Sequence, residues 1–316
     1  CTDDYCLVIK TIPIKKSNCF SDREAQYLKK VMFIIFFQDN LAAYLEHSIL
    51  IKSYLFHGIV LELVNRVLNS IWKMIHQKRR QELLSRLSEN ALVIVSSNSE
   101  QTRNNDVNYP FRPDSSFWYL TGFTEPDAIA VFSSNNYSIF VRPKDKTKEI
   151  WEGERLGVKS APKTLLADNA YSIDDFLKTI HKLIDKNSLV YFDDSSTNKL
   201  NENISSILVN DAKPLKPVIS EMRLIKDSNE IQNLQTAANL AAKAHMRAMI
   251  KVSPGLHEYE IAAEIDAEFR SENADHAYPP IVAGGKNSCV LHYTKNNKVL
   301  NDGELILIDA GCESLG

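Results

Sequence analysis

The arrangement of apolar and polar positions changes character along the chain. Across residues 1–73 the apolar positions form dense runs, Val31 to Phe37 and Ser48 to Val64, interrupted by Gln38, Lys52, His57 and Glu62. Turn punctuation is nearly missing there, since Gly58 and Pro13 are the segment's one glycine and one proline. No stretch reaches the ~18 apolar residues that a membrane-spanning helix needs. From Met74 the pattern becomes regular. It predicts a basic amphipathic helix from about Ile75 to Leu87, a strand over Ala91 to Val95, and a hairpin in which Asn135-Asn136 separates the apolar runs Ala128 to Phe132 and Tyr137 to Val141. A helix over Asp174 to Ile184, a strand over Leu189 to Phe192 and a helix over Ser195 to Val209 complete an α/β region. Pro214 and Pro217 read as a linker after it.

Beyond the prolines, Asp227 with Glu230 three places on has the form of a capping box. The stripe Ile231, Leu234, Ala238, Ala241, His245 and Met249 extends the helix it opens to Ser253-Pro254-Gly255. Ile261, Ile265 and Phe269 mark a second helix. The texture then switches to strands, over Pro280 to Ala283, Cys289 to Thr294 and Glu304 to Asp309, with turns at Gly284-Gly285 and Asp302-Gly303.

Composition narrows the function classes. The 316 residues are 44% apolar and 24% charged, ordinary globular usage and about two domains' worth of chain. With 37 basic against 40 acidic residues the net charge is -3, which gives no positive field for nucleic acid or an anionic membrane and points to small molecules or peptides as partners. Five cysteines, with Cys1, Cys6 and Cys19 crowded at the start and Cys289 and Cys312 isolated, suit reduced thiols in a cytosol. The first 73 residues stand apart, with 40 of them apolar. Asp3, Asp4, Asp22 and Glu24 argue against a secretory signal or a mitochondrial presequence. A chain that opens on Cys1 and ends soon after the apolar run Leu305 to Ile308 is expected to be a fragment, and residues 1–73 an unmatched leader that packs poorly on the rest.

Candidate chemistry lies near the end. Asp309 closes the strand ELILI before Ala310-Gly311, and His292 sits in CVLHYT. Alone, an acid at a strand end is commonly a turn former and a strand histidine commonly a core residue. Together they could meet in one site, because carboxylates on rigid strands bind hard metal ions and an imidazole handles protons at neutral pH. Glu258, Glu260, Glu264 and Glu268 read as a solvated helix face. His257 and His276 read as turn residues, and Cys289 and Cys312 as small core residues.

Five segments, YPFRPDSSFWYLTGFTEPDAIAVF (109–132), EIWEGERLG (149–157), EMRLIKD (221–227), NSCVLHYTKNN (287–297) and DGELILIDAGCE (302–313), together resemble the Xaa-Pro aminopeptidase (aminopeptidase P) family, in order from about Met74 to Gly316. The resemblance implies a creatinase-type N-terminal α/β domain over 74–217, followed over 218–316 by an incomplete pita-bread α+β catalytic domain. It also implies two divalent metal ions, manganese in most members, which generate a hydroxide and polarise the scissile carbonyl. Asp309 matches the first metal-ligand aspartate. His292 matches the histidine that contacts the substrate and assists its carbonyl, and Tyr278 matches a tyrosine near the bridging hydroxide. Trp151 matches a tryptophan that, in tetrameric members, closes a neighbouring subunit's active site. The other ligands, a second aspartate, a histidine and two glutamates, would lie beyond Gly316, so this chain is expected to be inactive by itself.

The implied activity is release of the N-terminal residue from peptides with proline in the second position. It would belong to a homo-oligomer, dimer or tetramer, in the cytoplasm or the mitochondrial matrix, with no nucleic acid or membrane partner. Two alternatives stay open: a prolidase acting on Xaa-Pro dipeptides, and a non-catalytic interaction module on the same fold.

Overall fold

Ala91 to Val95 is apolar without alternation, the pattern of a strand buried on both faces. In the structure, a computed structural model that describes residues 72–184, 188–193, 199–208 and 212–314, this run lies inside a six-stranded sheet. From residue 73 onward the described residues belong to the compact unit Lys73–Gly316. The expectations for residues 1–73 lie outside the described residues.

The first domain opens with α1 (72–85) and β1 (Ala91–Ser96). A small ribbon, β2 (Thr102–Asn104) with β3 (Val107–Asn108), precedes α2 (Ser115–Thr121) and the hairpin β4 (Ile129–Ser133) with β5 (Asn136–Val141). Then come α3 (Lys146–Glu152), α4 (Gly157–Leu165), β6 (Asn169–Ser172), α5 (Phe176–Leu183), β7 (Leu189–Phe192) and α6 (Lys199–Leu208). β8 (Lys213–Pro214) and α7 (Lys216–Met222) close it. The strand order is β6-β5-β4-β1-β7-β8, with β1 antiparallel to β4 and parallel to β7. The two residues between Ser133 and Asn136 form the hairpin turn, one place earlier than the Asn-Asn pair suggests.

Alternation along the strands divides the core in two. Val93, Val95, Phe132 and Ile139 meet Leu83, Phe117, Leu120, Ala161 and Leu165 on one face, while Leu92, Ile94, Val131 and Phe140 meet Phe176, Ile180 and Ile204 on the other. The expected linker at Pro214 and Pro217 is an element of this domain. Pro214 lies on the edge strand β8, paired with β7, where an absent N–H is tolerated, and Pro217 sits in the first turn of α7, where that N–H would have no helical partner. Leu215, Ile219 and Met222 are all buried in the first core.

The second domain begins with α8 (Ser228–Lys251) and α9 (Glu258–Ser271). The capping box is present: the Asp227 side chain accepts from the Asn229 and Glu230 amides at 2.8 and 2.9 Å, and Glu230 accepts from the Asp227 amide at 2.9 Å. Arg79 of α1 donates to the same Asp227 carboxylate at 3.1 Å, joining the first domain to this cap. The buried line of α8 is Leu240, Ala244 and Ala248, packed with Ile261, Ile265 and Phe269 of α9. The stripe read from the sequence is turned away from it, with Ile231, Leu234 and Met249 each more than half exposed. Ala244 and Ala248 on this line let the two helix backbones approach closely, with Leu240 completing the contact.

Two antiparallel pairs follow, β9 (Asp275–His276) with β12 (Cys312–Glu313) and β10 (Ile281–Gly284) with β11 (Ile306–Asp309). The expected strand Cys289 to Thr294 does not form. A 3-10 turn spans Gly285–Cys289, and His292 lies in a turn within the irregular segment that follows. That segment lies in no ladder, and its Tyr293 hydroxyl donates to a glutamate of α9 at 2.7 Å.

Burial of Ile219 and Met222 places the end of the first domain after α7. Residues 74–224 expressed alone should unfold cooperatively and be more stable than residues 74–217, which lack two core side chains worth about 1.5–3 kcal/mol each. Equal thermal midpoints for the two pieces would restore the boundary at 217.

Candidate active site

Asp309 is placed by the two strand pairs. β11 runs antiparallel to β10 with Asp309 opposite Ile281, and three residues later Cys312 pairs with His276 of β9. The chain between β9 and β10 therefore crosses Asp309-Ala310-Gly311. It carries Tyr278 followed by Pro279-Pro280, whose fixed φ and missing donors keep this crossing extended and outside either ladder. The Ala277 amide donates to the Gly311 carbonyl at 2.9 Å. Gly311 lies under the Tyr278 ring, where a Cβ would come within 3.3 Å of the phenol. The backbone passes at that spacing because residue 311 has no side chain.

The Tyr278 hydroxyl donates to Asp309 Oδ1 at 2.6 Å. This bond to a carboxylate, aided by partial burial, raises the Tyr278 phenol above its usual range, so it stays protonated and a donor at neutral pH. Asp309 is exposed at the end of its strand, with its second oxygen open to a ligand. The structure thus brings together two of the four expected residues. His292 is exposed on its turn and is hydrogen-bonded to neither of them. Trp151 lies on α3 in the first domain with 86% of its surface exposed, so its own chain hardly touches it.

The residue that organises this region is one that the spacing of charges conceals. Glu258, grouped with the solvated acids in the sequence, is fully buried. Its Oε1 accepts from the Gly284 amide and from Asn287 Nδ2, both at 2.9 Å, and its Oε2 accepts from the Tyr293 hydroxyl at 2.7 Å and the Lys298 amide at 3.0 Å. Burial by itself would raise the Glu258 carboxyl, but these four hydrogen bonds favour the charged form more strongly and hold it below the usual carboxylate range. One signal in the sequence does find it. Position 258 lies three residues before Ile261 and continues the stripe Ile261, Ile265, Phe269 by one turn, so this acid is on the core face of α9.

The other acids of the group are at the surface: Glu264 and Glu268 face Arg247 at 2.6 and 3.5 Å, and Glu260 accepts from the His257 amide at 2.7 Å. His257 precedes α9 as its N-cap, and His276 lies 3.2 Å from Asp266. Cys312 packs against the α8–α9 core, whereas Cys289 is exposed, contrary to its reading as a core residue. Arg112 adds a second tie from the first domain: its Nε donates to both Glu313 oxygens at 2.8 and 2.9 Å, next to the strand end that carries Asp309.

Comparison with known proteins decides the family. The family described as "Aminopeptidase P, N-terminal domain" matches residues 76–191, and "Metallopeptidase family M24" matches residues 232–316. The chain belongs to the aminopeptidase P family of metallopeptidases. It is 42% identical over 249 residues to an Xaa-Pro aminopeptidase of Haemophilus influenzae, covering 75% of this chain and 57% of that protein. To Xaa-Pro aminopeptidase 3 of Homo sapiens it is 33% identical over 262 residues, covering 75% and 52%. Among solved structures, proline aminopeptidase P II from Yersinia pestis superposes with a TM-score of 0.73 at 36% identity, over 77% of this chain and 60% of that one. The chain thus spans less than two thirds of the length of these relatives. Its fold is the mixed α/β architecture of aminopeptidase P, an N-terminal domain with part of a catalytic domain.

Family membership implies divalent metal ions. Asp309 supplies the hard oxygen donor such an ion prefers, but among the described residues no three of His, Cys, Asp and Glu converge on a common point. An ion held at Asp309 would need further ligands from outside the described residues.

The depressed Glu258 carboxyl gives stability a defined pH dependence. Its folded value lies below the ~4.3 of an unfolded glutamate, so its contribution is complete above that value and is lost as the pH falls through the folded one. Glu258→Gln should destabilise the chain by about 2–4 kcal/mol at pH 7, because an amide cannot accept on both arms. The gap from the parent should narrow below pH ~4, measured by urea midpoints. A gap of constant size would show that Glu258 is not charged in the fold.

Proposed function

We propose that this chain carries part of the machinery of an Xaa-Pro aminopeptidase, which releases the N-terminal residue from peptides with proline second. The observation that carries the reading is the hydrogen-bonded Tyr278–Asp309 pair at the end of β11, inside the segment that matches metallopeptidase family M24. The names of the relatives favour an aminopeptidase over a dipeptidase. In this reading Asp309 is one ligand of a pair of divalent ions, manganese being the expected metal, and the Tyr278 phenol orients that carboxylate by occupying its Oδ1. His292, free of partners on its turn, donates a hydrogen bond to the reacting carbonyl oxygen as negative charge develops there. Proline suits such a site because its ring fixes φ and it has no N–H for a general peptidase to grip.

Two further assignments belong to this reading. Trp151, an exposed indole on a helix, closes the active site of a neighbouring copy in a homo-oligomer. The protein works in a reducing compartment, the cytoplasm, where the free thiols Cys289 and Cys312 persist, or in the mitochondrial matrix as the alternative. No helix among the described residues is long and apolar enough to cross a membrane.

The test separates the roles. The 316-residue chain alone is expected neither to cleave Xaa-Pro peptides nor to bind Mn²⁺ tightly, since one carboxylate replaces too little of an ion's water. When the chain is extended by the remaining catalytic segment of its relatives, an Arg-Pro-Pro peptide should be hydrolysed. There Asp309→Ala should empty one metal position. His292→Ala should leave both metals bound and slow turnover by roughly a hundredfold or more. Steady-state rates with metal content measured in parallel decide it, and an unchanged rate in His292→Ala would remove that residue from the mechanism.

A further inference from the structure

Glu258 does more than stabilise a helix start. Its four donors come from one loop: the Gly284 amide begins it, the Lys298 amide ends it, and Asn287 and Tyr293 lie between. Asn287 Nδ2 also donates to the Tyr293 hydroxyl at 3.1 Å, closing the network on itself. The backbone reinforces the far end, with the Glu258 amide donating to the Lys298 carbonyl at 2.9 Å. Tyr293 packs with Ile281 and Ala283 of β10 as a separate small core. Its neighbour His292 is exposed on the same turn, as is Leu291. One buried carboxylate therefore ties both ends and the middle of a loop whose one imidazole faces solvent.

We propose that Glu258 is a positioning residue for the Xaa-Pro aminopeptidase reaction, acting through Tyr293 to fix the turn that presents His292 to the substrate carbonyl. The inference rests on the functional reading above for what His292 does, and on geometry alone for how it is held. It has a physical motive. An exposed imidazole on a segment with no strand partner would sample many orientations, whereas a transition-state donor acts only when held close to the productive geometry. Glu258 itself touches neither substrate nor metal in this scheme. Its two oxygens each take one backbone amide and one side-chain donor, so the loop is held both at its ends and at the residue next to His292.

The experiment has two arms. In the first, amide hydrogen exchange is followed on the chain as described. Gly284 and Lys298 should be protected in the parent and lose protection in Glu258→Gln beyond the loss seen at Ile265 and Phe269 of the α8–α9 core, which reports the global destabilisation alone. Unchanged protection at both amides overturns the proposal without reference to activity. In the second, Tyr293→Phe is made in the extended enzyme with and without His292→Ala, since this variant keeps the ring in its small core and removes only the hydroxyl. With His292 present, kcat should fall roughly tenfold at nearly constant KM, with metal content preserved and Tm lowered by the same amount as in the His292→Ala background. With His292 absent, the same substitution should change kcat by less than about twofold, since the tie then has nothing to position. Equal losses in both backgrounds would show that Tyr293 and Glu258 act on stability or on another group, and would overturn the proposal. An extended parent that binds metal yet cleaves no Xaa-Pro peptide would overturn the functional reading, and His292's role with it. In that event the exchange arm still reports whether Glu258 holds the loop.

Discussion

The second domain of this chain is organised around one buried negative charge. Removing a carboxylate from water costs several kcal/mol unless its lone pairs are filled, and Glu258 fills them with four donors drawn from the loop that follows β10. The exchange works in both directions. The loop's amides and the Tyr293 hydroxyl need acceptors that no strand supplies, and the carboxylate needs donors that α9 cannot give it. Because Glu258 extends the stripe of Ile261, Ile265 and Phe269, the charge is seated on the packed helix pair, so the loop inherits the rigidity of that core.

The first domain contributes through the joints it makes. Its sheet is buried on both faces and needs nothing from the second domain to satisfy its strands. What joins the two is polar. Arg79, itself buried, reaches the Asp227 cap at the start of α8, and Arg112 grips Glu313 just beyond the strand end that bears Asp309. The first joint sets where the long helix begins. The second holds the far side of the crossing on which Tyr278 meets Asp309, although its exposure keeps its own energetic weight modest.

The site divides labour between strand and loop. Asp309 and Tyr278 sit on backbone fixed by two ladders and a pair of prolines, which suits a carboxylate whose geometry must be constant. His292 sits on irregular backbone next to the buried Tyr293, which suits the substrate-facing role proposed for it. The hydrogen bond from a protonated phenol leaves Asp309 with one committed and one open oxygen.

The sequence by itself determined the elements whose signals are local. The unbroken run Ala91 to Val95, the Asp227–Glu230 capping box and the Ile261–Ile265–Phe269 stripe each carry their structure in a few neighbouring residues, and five motifs carried the family. Tertiary structure decided the rest. Pro214 and Pro217 look like a linker locally, yet an edge strand and a helix start accommodate both once Leu215, Ile219 and Met222 find the first core. The α8 stripe was misplaced because periodicity counts apolar positions, whereas close helix packing selects the small ones, Ala244 and Ala248. CVLHYT has the composition of a strand, but a strand needs a neighbour, and here the segment turns at Leu291–His292 while its Tyr293 hydroxyl reaches Glu258. Glu258 itself was hidden because charge spacing groups it with exposed acids, and only the fold brings four distant donors to it, the farthest forty residues along the chain.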